Sequence, residues 1–145
     1  MKESGEEIIA QKYQLILADI KAKGHRVFHR KMPKDISGLY DPVTQIITID
    51  KILRNTLEGC EVLLHEFSHL LDHREGFFKK FYDINETKLE YSDELMDLII
   101  KAEQSASKRA EHLLKQWSIY VKADNCKPEK EKYYKDFWRK YYFDS

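Results

Sequence analysis

The stretch EVLLHEFSHLLDH, residues 61–73, leaves little freedom in its local fold. Leu63, Leu64, Phe67, Leu70 and Leu71 recur at the three-and-four spacing of an amphipathic helix. Thr56 suits the N-cap and Gly76 the stop, so a helix is predicted from Leu57 to about Arg74. His65 and His69 are four residues apart and share a face, with Cβ atoms about 5–6 Å apart. Each imidazole can therefore give one nitrogen to a single tetrahedral ion at roughly 2.0–2.1 Å. Glu66 projects about 100° around the axis from His65, where it borders the ion and can hold a water. That divides labour as a hydrolase needs: the ion acidifies the water, and the carboxylate takes its proton and returns it to the leaving amine. The competing reading is an ordinary amphipathic helix, because H-E-x-x-H arises by chance in roughly a few per cent of chains of such composition.

A catalytic zinc usually keeps three protein ligands and an open position. Candidates for the third are His73, Asp72, Glu103 and His112. His73 follows His69 by four residues, but three ligands at i, i+4 and i+8 span about 12 Å of rise, so one ion cannot reach all of them along a straight helix. A carboxylate from a second, packed helix is the better geometry, and Glu103 lies in the next long helical pattern.

Around this helix the chain reads as mixed α and β. Residues 6–23 place Ile8, Ile9, Leu15, Ile16, Leu17 and Ile20 on a broad helical face, with Gly24 as the stop. RVFHR (26–30) alternates, and ISGLY (36–40) runs into an Asp41-Pro42-Val43-Thr44 turn and the β-branched QIITID (45–50), which predicts a hairpin. Residues 77–91 show no period and suit a loop or short helical turns. Ser92 caps a long helix running toward Tyr120, with room for a kink, and Pro128 fits the first turn of a last helix. There Tyr133, Tyr134, Phe137, Trp138, Tyr141 and Tyr142 recur at helical spacing, to pack back on the domain or to grip a partner. Residues 123–127 are the one linker candidate. The expected organisation is a single domain over residues 1–145, with its core at about 25–122 and the aromatic helix at 128–143.

Composition narrows the class. The 145 residues carry 25 basic and 25 acidic side chains, a formal net charge of zero, which disfavours nucleic acid as the main partner. The basic C-terminal tail is the local exception. Cys60 and Cys126 are far apart and outside any C-x-x-C pattern, so a disulfide framework is not expected. Neither a signal-peptide pattern nor a membrane-length apolar run is present, and the expected location is cytoplasmic.

HEFSHLLDH followed by EQSASKRAEHLL (103–114) resembles the metallopeptidases of the ImmA/IrrE type. Their pattern is an H-E-x-x-H helix and then E-x-x-A-x-x-x-A-x-x-L-L, which Glu103, Ala106, Ala110, Leu113 and Leu114 match. GLYDPVTQIITID looks like the strand region before the motif. Arg109 stands where the family usually has phenylalanine, and Ser107 where an acidic or amide residue is common. The resemblance implies an α+β, zincin-like domain: a short β-sheet packed on an active-site helix and a second ligand-bearing helix. It implies one zinc ion on His65, His69 and Glu103, Glu66 as general base, and a protein substrate such as a helix-turn-helix repressor. Two residues keep alternative readings. His73 supports the site from behind or caps its helix, and Tyr40 is a packed strand residue or a donor to the tetrahedral intermediate. The rival function is a catalytically silent zincin-like module that binds or antagonises a protein.

Overall fold

A computed structural model describes residues 4–84, 89–120 and 128–143. Helix α1 spans Gly5–Ala22, strands β1, β2 and β3 span Arg26–Arg30, Gly38–Asp41 and Ile46–Asp50, and a 3-10 turn covers Lys51–Leu53. Helices α2, α3, α4 and α5 follow at Leu57–Arg74, Lys79–Tyr82, Asp93–Gln116 and Pro128–Tyr141. The fold is α+β, as the sequence predicts. The linker candidate at 123–127 and Cys126 lie outside the described residues. Among the described residues, no helix is long and apolar enough to cross a membrane.

The Ser4 hydroxyl starts α1 by accepting the Glu7 N–H, and Gly24, at φ +90°, ends it. Its buried stripe is Tyr13, Ile16, Leu17 and Ile20, narrower than the sequence predicts, and Leu15 is exposed. One residue is about 100° of helix, so Leu15 turns away from the single surface that α1 covers.

The predicted hairpin forms, with β2 antiparallel to β3 and Tyr40 opposite Ile47. The Asp41 carboxylate accepts the Val43 N–H and fixes the turn. β1 adds to the other side of β3 in parallel, a pairing that strand periodicity does not announce, giving the order β1-β3-β2. Among the described residues no strand pairs with the outer edge of β2. Ile47 and Ile49 of β3 are fully buried among Leu63, Leu64 and Leu70 of α2.

Thr56 caps α2, accepting the Gly59 N–H at 2.9 Å and donating to the Leu53 carbonyl at 2.6 Å. This tight entry requires Gly59: a Cβ there would lie 2.0 Å from the Leu53 carbonyl oxygen. Gly59→Ala is expected to cost about 1–3 kcal/mol by overpacking. That outweighs the roughly 1 kcal/mol of helix propensity that alanine brings. It should appear as a lower denaturant midpoint at unchanged slope, and a raised midpoint would mean that the turn relaxes freely.

α4 is one unbroken helix, capped by Ser92 and ending at Gln116 rather than near Tyr120. Ser118 closes it at φ 58°, a left-handed turn made without glycine and so without the usual sequence signal. Ala102, Ala106 and Ala110 are buried at i, i+4 and i+8, small side chains that let α4 approach α2 closely. The aromatic helix α5 packs back on the molecule. Tyr134 and Phe143 join Leu89, Met96, Ile99 and Ile100 in a second apolar cluster. Trp138 meets Phe81 at 5.6 Å between ring centroids, and the Tyr141 hydroxyl donates to the Asp35 carboxylate at 3.0 Å.

Candidate metal centre

The helical spacing of α2 brings His65, Glu66 and His69 together. The ligand-capable atoms of His65, Glu66 and His69 all lie within 4.8 Å of one another. α4 delivers Glu103 to the same point: its carboxylate oxygens stand 2.9 Å from His69 Nε2 and 3.6 Å from His65 Nε2. Ligands at the zinc distances of a regular tetrahedron are about 3.3 Å from one another, a spacing these two distances bracket. Two imidazole nitrogens and one carboxylate form a donor set that suits a divalent ion such as zinc.

Each histidine is held from behind. His69 Nδ1 meets the Tyr82 hydroxyl at 2.8 Å, and His65 Nδ1 meets the Ser107 hydroxyl at 3.3 Å. Both rings thus turn Nε2 toward Glu103 and Nδ1 toward a hydroxyl. A ligating histidine needs this orientation, because the bond on one nitrogen sets what the other can do.

The two carboxyls have opposite electrostatics. Burial would raise Glu103, but the adjacent His69 and then His65 outweigh it and hold the carboxyl well below the usual range. Burial dominates at Glu66 and pushes its carboxyl up to about 7; His65 and a hydrogen bond from the Tyr40 backbone N–H oppose the rise, while Glu103 adds to it. A carboxylate poised near neutrality can both take and return a proton.

These groups sit at the base of a cleft of about 580 Å³. β2 forms one wall, with Gly38 pressed against α2: a Cβ there would meet Val62 Cγ1 at 2.6 Å and Glu66 Cγ at 3.3 Å. Phe81, Phe137, Trp138 and Tyr142 give the cleft an aromatic lining as well.

Of the remaining candidates, Tyr40, His73 and Asp72 are engaged by other partners, although Tyr40 also lines the cleft. The Tyr40 hydroxyl bonds His73 Nδ1 at 2.7 Å, and the His73 ring stacks on Tyr82 at 5.0 Å. Burial pushes the Tyr40 hydroxyl up to about 12. Asp72, 1% exposed, pairs with Arg109 Nε at 3.1 Å and accepts from Ser105 at 2.9 Å, and His112 is exposed. Tyr82, Ser107 and Arg109 carry no functional role in the expectations drawn from the sequence. Ser107 was within reach of spacing arguments, four residues beyond Glu103 on one helical face. Tyr82 lies in a stretch without period and carries no such signal.

No family model, no curated protein and no solved structure matches this chain.

Proposed function

We propose that this chain is a zinc-dependent metallopeptidase that hydrolyses peptide bonds in a protein substrate. The observation that carries the reading is the convergence of His65, His69 and Glu103 beside the buried Glu66 carboxylate, on the floor of an open cleft. His65, His69 and Glu103 would hold the ion, which when bound supplies Lewis-acid polarisation of the scissile carbonyl and acidifies a nearby water. Glu66 would take the proton of the attacking water as the C–O bond forms, then deliver it to the amide nitrogen as the C–N bond breaks. The outer edge of β2 can pair with an extended substrate segment and lay its backbone across the site. Residues 103–114 resemble the ImmA/IrrE pattern, and on that resemblance the substrate class is a helix-turn-helix repressor.

Protein purified without chelator should carry about one zinc per chain, the stoichiometry of a single three-ligand site. His65→Ala and Glu103→Gln should each abolish that content. Free zinc at about 100 times its Kd should stabilise the fold by about 2.7 kcal/mol over the chelated form, read as a raised Tm. A metal-free preparation whose Tm ignores zinc, or ligand variants with full metal content, would refute the assignment.

A further inference from the structure

We propose that Tyr134 of α5, acting through Ser107 of α4, is a positioning residue of the metal centre. The Ser107 hydroxyl lies 3.3 Å from His65 Nδ1 and 2.8 Å from the Tyr134 hydroxyl, forming a chain from α5 through α4 to α2. Both residues are buried, Ser107 at 8% and Tyr134 at 5% exposure, so water competes little for these bonds. Tyr134 is also packed firmly, among Leu89, Met96, Ile99, Ile100 and Phe143. His69 has a simpler arrangement, with the Tyr82 phenol directly behind Nδ1. His65 has a serine there, too short to reach the apolar cluster, and Tyr134 extends the connection.

The inference rests on the metal-site reading above. With Nε2 turned to the ion, His65 carries its proton on Nδ1 and donates to Ser107 Oγ. When Ser107 gives its own proton to Tyr134, its oxygen becomes a better acceptor, and the imidazole is fixed in tautomer and orientation. The aromatic helix is in this view a structural part of the metal centre.

The test measures zinc affinity of the full chain by competition with a chromophoric chelator. Tyr134→Phe and Ser107→Ala should each weaken zinc binding 10–100-fold, the usual effect of losing a partner behind a metal ligand. The double variant should bind no more weakly than the weaker single, because both changes cut one chain. The visible absorption of the cobalt-loaded protein should shift in the same variants, reporting the altered ligand field at His65. Tyr141→Phe, which removes a hydroxyl from the same helix where it bonds Asp35, should leave affinity and spectrum unchanged.

Unchanged affinity in Tyr134→Phe or in Ser107→Ala, fully additive losses, or an equal loss in Tyr141→Phe would each overturn the proposal. Should Tyr134→Phe fail to fold, the affinity and cobalt spectrum of Ser107→Ala decide. Wild-type protein that binds no zinc would remove the metal-site reading itself, and this inference with it. Zinc binding that is intact in the wild type and unaltered in the variants removes this inference alone.

Discussion

Glu66→Gln is expected to keep its zinc and to lose hydrolysis by about 10²–10⁴-fold, the usual contribution of a positioned general base. Glutamine preserves the size of the side chain, and its carbonyl can still accept the Tyr40 backbone N–H. It cannot take a proton from water, so the change isolates one chemical step. Folding should not suffer, because the carboxyl it replaces is buried and its charged form is disfavoured there. The check is a pair of measurements on one preparation: zinc content, and turnover of a peptide or protein substrate cleaved by the wild type. Undiminished turnover would remove Glu66 as the base. A variant that has lost turnover but keeps its full effect in the cell would favour the binding-module function over the peptidase.

Arg109→Met should be the most destabilising change outside the apolar core. Asp72 is 1% exposed, and the Arg109 guanidinium is its cationic partner at 3.1 Å. Removing one member of a buried pair leaves an uncompensated charge, at a cost of about 3–5 kcal/mol. For a chain of this size that corresponds to a fall in Tm of roughly 10–20 °C. Little of it comes from Glu75, whose two contacts with the same guanidinium are on the exposed side, where ion pairs contribute little. The companion Arg109→Met/Asp72→Asn variant should recover much of the loss, because the orphaned charge goes with it. A single variant within 1 kcal/mol of wild type would mean that Asp72 is compensated from elsewhere. Because the pair ties α2 to α4, the destabilised variant should also hold zinc less well: Glu103 reaches the histidines only across that same helix contact.

Much of this arrangement is legible from one dimension. Periodicity marks α2 to its ends because Thr56, the apolar stripe and Gly76 agree, and each acts through local chemistry. The hairpin is equally local, set by Asp41 and Pro42. The parallel pairing of β1 with β3 is not local. It joins residues 20 apart, Arg26 with Ile46, and no turn chemistry announces it. The same division holds at the candidate metal centre. His65, Glu66 and His69 declare themselves by helical spacing, whereas Tyr82 reaches His69 from an aperiodic segment and Tyr134 reaches Ser107 from another helix. Arg109, a departure from the pattern that residues 103–114 resemble, finds its reason only in the burial of Asp72.

If His65, His69 and Glu103 hold an ion as proposed, their division between one helix and another has a kinetic consequence. His65 and His69 come together as soon as α2 coils, an event of roughly a microsecond or less. Glu103, 34 residues beyond His69 in the chain, arrives only once α4 has docked. An ion gripped by all three residues therefore exerts its full hold late, after most of the chain has collapsed. Interactions absent from the transition state slow the escape from the native state without hastening its formation. The metal would serve this protein as a lock on an already folded chain, setting how long it persists.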